Sequence, residues 1–453
     1  MVSFDLLKKY NVPVPRYTSY PTVPYWTEQF DVHDWENMLQ AQFRINNATD
    51  GISLYLHLPF CESLCTYCGC NKKITTNHSV EDEYIDALLK EWDMYTRLMH
   101  EKPVIKEVHL GGGTPTFFSP RNLQRLLTAI LDKCIIHENH EFGFEGHPNN
   151  TTREHLQTLY DLGFRRVSYG VQDNNPEVQR VINRIQPFEN VMRATEMARE
   201  IGYQSVNFDL IYGLPRQSME MMENTIRAAI SLKPDRVAFY SYAHVPWTSR
   251  GQRLFDEHDL PDVEEKLRLY RLGKQLFAEN GYKDIGMDHF ALPGDDLYKA
   301  SQEGWLFRNF MGYTTQRSTI LIGLGVSAIS DSGNAFAQND KTIHGYYAKI
   351  NSGTLPVVKG YFLTDEDMAF KQYILDLSCH GKTTLDGAHM EVLRYYTFPE
   401  LKKLEADALI EWYGNQIHIT SLGKNFIRNI CSAFDLHLQR SQAKAGRTYS
   451  NAI

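Results

Sequence analysis

The chain has 453 residues, of which 42% are hydrophobic and 23% are charged, and its formal net charge is −8. This length predicts two or three domains with a real core, and the mild acidity argues against a nucleic-acid-binding protein because no basic excess is available to neutralise phosphates. No apolar run approaches the roughly 18 residues of a membrane span, and the N-terminus lacks the pattern of a signal peptide. We therefore expect a cytoplasmic protein without a membrane segment. The lack of heptads makes a monomer the default.

Residues 1–45 precede the first strand-like segment, and we expect them to form an N-terminal extension over the active site. From about residue 50 onward, strand-like runs alternate with helix-like segments. The runs are 52–58, 105–110, 142–145, 166–172, 205–212, 236–242 and 284–290. Ser79 and Ser119 are predicted helix N-caps, and Gly163, Gly202 and Gly281 stand where a left-handed residue would end a helix. This alternation predicts an α/β fold over residues 46–350, a partial (β/α) barrel of about six units.

Beyond about residue 360 the pattern changes. Residues 398–410 are typical of an amphipathic helix, 412–419 of a hairpin with a Gly414-Asn415 turn, and 423–434 of another helix. This order of a helix, a small hairpin that would form the wing, and a second helix predicts a mainly helical, winged-helix-like C-terminal domain over residues 360–453. Since the chain is mildly acidic, we expect this domain to cover the barrel mouth rather than to bind DNA.

Polar or glycine-rich positions follow most of the predicted strands. They include the cysteine segment after the first strand, Gly111–Pro115 after the second, and the strand-end residues Glu145, Gln172, Asp209, Ala243 and His244. Because the carboxyl ends of parallel strands share one face of a barrel, these side chains should meet in an active site. An ordinary polar turn is an alternative explanation for any one of them taken alone, but a weaker one, and it does not explain all six together.

Four of the seven cysteines fall within ten residues, at Cys61, Cys65, Cys68 and Cys70. Thiolates are soft ligands that suit zinc, Cu(I) or an iron–sulfur cluster. A structural zinc site would need a second Cys or His pair, and the other three cysteines are scattered singly. The spacing therefore favours a three-cysteine [4Fe–4S] site, with zinc or a redox pair as the alternatives.

The CxxxCxxC spacing, followed one strand later by Gly111-Gly112-Gly113-Thr114-Pro115, resembles the radical S-adenosylmethionine (SAM) enzymes. The resemblance implies a cluster with one open iron that holds SAM. One electron from such a cluster cleaves SAM to methionine and a 5′-deoxyadenosyl radical, while the protein orients the radical. In this interpretation the glycines let the backbone approach SAM closely.

Within that superfamily, the chain resembles the oxygen-independent coproporphyrinogen III oxidase (coproporphyrinogen dehydrogenase) family. The resemblance rests on four blocks, at residues 16–21, 61–71, 286–291 and 309–316. It implies oxidative decarboxylation of two propionates of coproporphyrinogen III to vinyl groups, giving protoporphyrinogen IX in haem biosynthesis. An electron donor and an electron acceptor, neither identified, would be partners.

The resemblance also implies roles for individual residues. Cys61, Cys65 and Cys68 would ligate the cluster. The first SAM would be held by Tyr55, Tyr67, Gly112, Glu145 and Ile329. A second SAM would be held by Gly113, Thr114, Gln172, Arg184, Asp209 and Ala243. Taken alone, Arg184 is better explained as a solvated helix-end residue.

Other residues remain less defined. Cys70 would not be a ligand in this family; proton delivery, contact with the cluster region and simple packing are the alternatives. Arg16 with the segment 17–20, Arg308 and Arg317 are candidates for binding the substrate's propionates. His289 is notable without an assignable role. Gly146-His147 departs from the aliphatic-acidic pair that the resemblance leads us to expect, which puts the neighbouring shape in doubt.

Two other functions compete with this one. A haem chaperone related to these enzymes would keep the cluster and the SAM motif but hand on haem. The second competing function is that of a different radical SAM enzyme that acts on porphyrins. The N-terminal block at 16–21 and Cys70 favour the dehydrogenase over the chaperone.

Overall fold

The computed structural model describes residues 3–247, 249–441, 449–450 and 452. The strands are β1 Ile52–Leu58, β2 Phe60–Cys61, β3 Lys73–Ile74, β4 Val104–Gly112, β5 Ile135–Gly146, β6 Arg166–Gln172, β7 Ser205–Tyr212, β8 Arg236–Ser241, β9 Lys283–Gly286, β10 His289–Ala291, β11 Phe307–Asn309, β12 Gly312–Thr314, β13 Ile320–Leu324, β14 Ile329–Asp331, β15 Ala335–Asn339, β16 Val357–Phe362, β17 Lys382–Thr384, β18 Ile410–Tyr413 and β19 Gln416–Ile419. The α-helices are α1 Phe4–Tyr10, α2 Val32–Asn46, α3 Val80–Leu98, α4 Pro120–Leu131, α5 Arg153–Asp161, α6 Pro176–Val181, α7 Phe188–Ile201, α8 Met219–Ser231, α9 Val263–Glu279, α10 Asp296–Glu303, α11 Ile343–Asn351, α12 Asp365–His380, α13 Met390–Val392, α14 Phe398–Ala406, α15 Ile427–Ser432 and α16 Leu436–Arg440. Short 3-10 helices and one π-helical turn (Leu393–Thr397) join several of them.

Twelve strands form one sheet, in the order β16-β15-β14-β13-β1-β4-β5-β6-β7-β8-β10-β9. β1 and β4 to β8 are parallel neighbours, and helices α3 to α8 lie in the connections between them. This confirms the predicted partial (β/α) barrel of about six units. β13 adds in parallel beside β1, whereas the outer strands at both edges pair antiparallel.

The barrel strands alternate between an apolar outer face and a polar inner face. In β1, Leu54 and Leu56 are fully buried and belong to a core cluster shared with Leu88 and Trp92 of α3. The residues between them, Ser53 and Tyr55, belong to the opposite face because strand side chains alternate. Burial of each leucine against the helices contributes about 1.5–3 kcal/mol. The core therefore lies between sheet and helices, which leaves the inner face free to carry polar chemistry.

The predicted helix ends are mostly confirmed. Ser119 caps α4, with its hydroxyl accepting a hydrogen bond from the Asn122 backbone N–H. Gly163, Gly202 and Gly281 have positive φ angles just after helices, as expected. Ser79 occupies the N-cap position of α3, as predicted, but its side chain makes no capping hydrogen bond.

The predicted strand at 284–290 was wrong. It is an antiparallel hairpin of β9 and β10, with a two-residue turn at Met287 (φ 39°) and Asp288 (φ 73°). Two consecutive positive φ angles are what a tight type I′ hairpin requires, but such turns usually carry Asn or Gly. Gly286 and Asp288 are compatible with a turn, but methionine at the first turn position gives no signal that separates the two strands.

The C-terminal region holds the predicted Gly414-Asn415 hairpin, as β18 and β19, within a three-stranded sheet. The helix expected at 398–410 ends earlier, as α14 Phe398–Ala406. The helix expected at 423–434 is divided into a 3-10 turn, Gly423–Phe426, and α15. Residues near the N-terminus pack on this region, since the Tyr17 hydroxyl donates to Asp435 (3.1 Å). The domain boundaries at 45, 350 and 360 stay predictions.

Across the described parts of the chain, we find no helix with the length and hydropathy needed to span a membrane.

Candidate active site

A cavity of about 390 Å³ lies at the carboxyl ends of the barrel strands. Most of the predicted site residues line it: Cys61, Cys65, Tyr67, Cys68, Cys70, Gly112, Gly113, Thr114, Glu145, Gln172, Arg184 and Asp209. These residues come from segments spread over about 150 positions of the chain, and the parallel topology brings them together. We refer to this space as the cysteine cavity.

Three predicted residues lie outside the lining. Tyr55 lies within β1, before the carboxyl end of the strand. Its hydroxyl shares a hydrogen bond with His57 Nδ1 (3.1 Å), and its ring stacks on His109. Ala243 lies beyond β8, where its carbonyl accepts from Gln252 Nε2, which also donates to the Tyr67 carbonyl. Ile329 begins β14, two strands from β1.

The cysteine segment is a loop held at both ends and in its middle. Its ends are tied because β2, which contains Cys61, pairs with β3. Its middle is tied to the connection after β6: the Thr66 backbone N–H donates to the Ile182 carbonyl (3.0 Å), and Asn183 donates to the Leu64 carbonyl (2.7 Å). Lys72 closes the loop by donating to the Cys68 carbonyl (3.0 Å).

Each of the three predicted ligand sulfurs receives a hydrogen bond from a different residue. Cys61 Sγ accepts from the Thr114 hydroxyl (3.4 Å), and Cys65 Sγ accepts from Arg184 Nη1 (3.6 Å). The Cys70 thiol donates to Cys68 and is the main cause of a lowered pKa for Cys68. Hydrogen bonds to sulfur are of the kind that tune iron–sulfur clusters.

Among the described residues, no group of three or more His, Cys, Asp or Glu side chains is gathered to hold one metal ion. Cys61, Cys65 and Cys68 border one cavity. A four-iron cluster binds one thiolate at each of several separate irons, so its cysteines need to border a common space rather than to converge on one point. The donor set and its arrangement therefore fit a [4Fe–4S] cluster better than a mononuclear zinc site.

Two carboxylates face the cysteine cavity in different electrostatic states. Burial opposes ionisation of Glu145, but His109 and the Gly112 backbone N–H (3.3 Å) lower its pKa below the ordinary value. Burial and the negative charge of Glu145 raise the pKa of Asp209 to about 6. Asn207 and Ser168 orient Asp209 by donating to its two oxygens (2.8 and 3.1 Å). Both carboxylates are therefore largely ionised at neutral pH and can accept hydrogen bonds from amino or hydroxyl groups.

Arg184 is not the solvated helix-end residue that the sequence alone suggests. Its Nη2 donates to the Gly170 carbonyl (2.6 Å), its Nη1 to Cys65, and its buried Nε has no partner. The preceding Asn183 has a positive φ of 52°. The chain thus turns the guanidinium into the cavity, where a carboxylate could bind it.

The glycines after β4 are required by the chain itself as well as by any ligand. A Cβ on Gly113 would lie 2.5 Å from the Pro59 backbone, and Gly112 has a φ of 113° with the His57 ring 2.6 Å from a Cβ. The end of β4 therefore packs directly on the β1–β2 connection. This adds a structural reason to the one that the sequence suggested.

Sequence reasoning missed Tyr240, which lines the cysteine cavity from β8. The alternation of β8 could have found it, since Arg236, Ala238 and Tyr240 share the inner face. His147 also lines the cavity. Its Nδ1 accepts from the Asn149 backbone N–H (3.1 Å), and burial with the charge of Arg184 lowers its pKa to about 2.

The propionate candidates separate into two places. Arg16 and Arg308 line a smaller cavity of about 170 Å³, which shares Tyr240 with the cysteine cavity and which we call the arginine cavity. Arg317 does not line it and instead borders another cavity, of about 150 Å³, that Arg308 also reaches. His289 lines the arginine cavity.

Comparisons with known proteins agree on one family. A profile of the Radical SAM superfamily matches residues 55–229. The chain is 36% identical over all its length, and 98% of the relative's, to the oxygen-independent coproporphyrinogen III oxidase of Synechocystis sp.. It is 38% identical to the enzymes of that name from Pseudomonas aeruginosa and Escherichia coli, over 96% of this chain and 95% of each relative.

The fold is similar to a solved structure, described as the coproporphyrinogen III oxidase of Escherichia coli and as a radical SAM enzyme. The TM-score is 0.89 at 36% identity, over 96% of this chain and all of that one.

Proposed function

The chain belongs to the oxygen-independent coproporphyrinogen III oxidase family of radical SAM enzymes, and from this membership we propose how its own residues carry the reaction. The protein is an oxidoreductase of haem biosynthesis that converts coproporphyrinogen III to protoporphyrinogen IX. Each of two propionates loses CO₂, one hydrogen atom and one electron, and a vinyl group remains. The observation that carries the proposal is the cysteine cavity, where predicted residues from five strands and the loops that follow them meet.

A [4Fe–4S] cluster and SAM are the cofactors. When bound, they supply a 5′-deoxyadenosyl radical that removes the hydrogen atom. Cys61, Cys65 and Cys68 hold the cluster in this proposal, and Cys70 donates to the Cys68 sulfur without being a ligand. Thr114 and Arg184 place hydrogen-bond donors on the other two sulfurs. Such donors favour the thiolate form, which is the form that binds iron.

We assign the first SAM to Tyr55, Tyr67, Gly112, Glu145 and Ile329. Glu145 supports the assignment because its carboxylate is fixed by Gly112 and His109 and faces the cavity. A fixed carboxylate accepts hydrogen bonds from an amino group or from ribose hydroxyls without first losing rotational freedom. Tyr67 offers an aromatic surface for an adenine ring.

A second SAM would use Gly113, Thr114, Gln172, Arg184, Asp209 and Ala243. Support comes from opposite charges on one wall: the Arg184 guanidinium suits a carboxylate, and Asp209 suits an ammonium. An amino acid moiety carries both groups. Thr114 and Arg184 also reach the cysteine sulfurs, so this second site would be coupled to the cluster.

We propose that the protein acts in the cytoplasm as a monomer, with a separate electron donor and acceptor and without nucleic acid or membrane. All seven cysteines are free thiols, which suits a reducing compartment. Size-exclusion chromatography with light scattering tests the oligomeric state: a dimer mass would contradict it.

Anaerobic incubation of the reconstituted protein with SAM, a reductant and coproporphyrinogen III tests the function. Mass spectrometry should find protoporphyrinogen and a tripropionate intermediate, each decarboxylation removing one CO₂. Tight haem binding without any turnover would reject the dehydrogenase in favour of a chaperone. Methylated or rearranged porphyrins would point to a different porphyrin-active enzyme.

A further inference from the structure

Arg308 is a buried guanidinium without a bound anion. It is 7% exposed, yet no carboxylate of the described residues forms an ion pair with it. Its Nε and Nη2 donate to the backbone carbonyls of Tyr17 (3.4 Å) and Arg16 (3.2 Å), and its buried Nη1 has no partner. A buried charge of this kind is costly unless an anion completes it. The Nη1 hydrogen-bond donor, which has no partner, therefore indicates a position where an anion binds.

The arginine cavity, which Arg308 lines, has an excess of positive charge. Arg16, Arg308 and Arg428 contribute three guanidiniums, while the one carboxylate in the lining is Asp288. Asp288 pairs with Arg16 (3.2 Å). Burial and the nearby Arg308 lower the pKa of His289 to about 3, so this ring is neutral. The lining therefore carries more positive than negative charge, and Arg308 is paired with none of the described carboxylates, which favours an anionic occupant.

The arginine cavity adjoins the place where the chemistry occurs. Tyr240 lines both cavities, its hydroxyl lies 3.5 Å from His289 Nε2, and the Arg16 guanidinium lies 5.6 Å from its ring centre. With a volume of about 170 Å³, the cavity has room for a short side arm but not for a macrocycle. An anion bound here would therefore be an arm of a molecule whose body lies at the shared wall.

The backbone around the arginine cavity is held in uncommon conformations. Tyr17, Met287 and Asp288 all have positive φ angles, at 47°, 39° and 73°. Such angles in residues other than glycine persist only where the surroundings enforce them. They bring Arg16, from near the N-terminus, beside Asp288 in the β9–β10 turn.

We propose that the arginine cavity binds a propionate carboxylate of the tetrapyrrole, with Arg308 and Arg16 as its cationic anchors. The assignment rests on the proposed function, because it takes the substrate class from it. A guanidinium fork matches a carboxylate in two parallel hydrogen bonds. Asp288 holds Arg16 in place, and Tyr240 separates the anchored arm from the cysteine cavity.

Arg308 also borders the 150 Å³ cavity that holds Arg317. There the nearby cation Lys371 already has an anion, Asp331 (3.1 Å). Arg317 is therefore a matched control: it is the same residue type, nine positions along the chain, and it is exposed in the other cavity. Its replacement should leave tetrapyrrole binding unchanged.

The test is a fluorescence titration of the anaerobically reconstituted holoenzyme with coproporphyrin III, the stable oxidised tetrapyrrole with four propionates. Arg308→Met should raise Kd by at least about 10-fold, as truncation of a buried charge partner does. Arg16→Met should raise it by about 3-fold, since its side chain is partly exposed, and Arg317→Met by less than about 2-fold. The same titrations with the tetramide of coproporphyrin III isolate the carboxylate: the penalties of the first two variants should disappear.

Three results would overturn the proposal: an unchanged Kd for Arg308→Met, a penalty that persists with the tetramide, or an equal loss in Arg317→Met. If Arg308→Met does not fold, Arg16→Met with the acid and the tetramide decides the same question. Turnover is measured on the same wild-type sample. Arginine-dependent binding without decarboxylation would reject the proposed function alone, whereas turnover with arginine-independent binding would reject this inference alone.

Discussion

Two regions of the molecule differ in whether their buried charged side chains are paired within the protein. At the amino ends of the strands, Glu107, Glu141 and Asp295 are matched with Arg166 and Arg236 in a buried network, which we call the closed-end network. Arg184, beside the carboxyl ends, and Arg308, in the arginine cavity, each keep a buried nitrogen without a hydrogen bond or an ion pair among the described residues, whereas Arg166 Nε of the closed-end network also lacks a hydrogen bond but lies 3.0 Å from Glu141 in an ion pair. Both sets contain buried polar atoms, so burial alone does not distinguish them.

Within the closed-end network, the carboxylates are supplied with donors. Glu107 accepts from Ser53 (2.8 Å) and Thr314 (2.7 Å). Asp295 accepts from Arg236 (2.7 Å) and Ser205 (2.8 Å). Such groups have little capacity left for a ligand, and we interpret the network as structural.

Around the cysteine cavity and the arginine cavity, two arginines are held from one side only. Arg184 and Arg308 are fixed through backbone carbonyls and retain free donors toward a cavity. The difference shows how function is placed on this fold: the strand pattern buries polar groups at both ends, and ligands complete those at one end. The following experiments would break or sharpen this contrast.

The largest expected effect is at the mouth, in Cys65→Ala. This change removes one of three proposed cluster ligands, so the visible absorption of the cluster, its iron content and SAM cleavage should all be lost. Cys70→Ala is the matched control and should keep its iron. A full cluster in Cys65→Ala would refute the ligand assignment, and iron loss in Cys70→Ala would make Cys70 a ligand.

The closed end should show its largest effect in stability. Arg236→Met leaves Asp295 and Glu141 buried without one cation and should lower the free energy of unfolding by about 3–5 kcal/mol. Arg184→Met, at the mouth, should cost about 1 kcal/mol, because the lost hydrogen bonds are few, but should abolish SAM cleavage. Urea denaturation and the cleavage assay measure the two effects. Equal stability losses would remove the distinction between the two ends.

The two ends should also respond oppositely to pH. The pKa of Glu141 is about 2, against an ordinary 4.5, because Arg166 and Arg236 outweigh the effect of burial. Ionised Glu141 therefore stabilises the fold fully above about pH 4.5, and that stability is lost only toward pH 2. Glu141→Gln should lower the urea midpoint by a constant amount between pH 5 and 7.

Asp209 has the opposite sign, since its pKa of about 6 exceeds the ordinary 3.8. Between these values the folded state holds a proton that the unfolded state has released, so stability falls as pH rises. Asp209→Asn should raise the urea midpoint at pH 7, and the gain should shrink toward pH 5. A gain that does not depend on pH would show that Asp209 is not the titrating group.

Much of the barrel could be predicted because each strand is marked at both ends. The runs 52–58, 166–172 and 205–212 coincide with β1, β6 and β7, since a capped helix or a glycine stands beside each. The turn at Met287-Asp288 could not be predicted, because methionine at its first position gives no sign of positive φ.

The candidate site likewise has one part that the sequence could predict and one part that it could not. The cysteine cavity follows from topology, because strand ends in a parallel barrel share one face. The arginine cavity does not, because it joins segments around residues 16, 288, 308 and 428 that no periodicity relates. Arg308 and Arg317 were equivalent candidates by sequence, and only the fold separates them.

The smallest expected effect tests the contrast from inside the mouth, at His147. This residue lines the cysteine cavity and departs from the expected family pattern, yet its Nδ1 already accepts from the Asn149 backbone N–H. We interpret unfilled hydrogen-bond capacity as the mark of a ligand-binding group. On that interpretation, His147→Asn should change the KM for SAM by less than about 3-fold, because an Asn side chain can accept the same hydrogen bond from the Asn149 backbone N–H. The pH profile near 6.5 should not move, since the ring is neutral there. A loss of about 30-fold or more would mean that a partnered side chain binds the cofactor, and unfilled hydrogen-bond capacity would no longer separate ligand-binding from structural groups in this barrel.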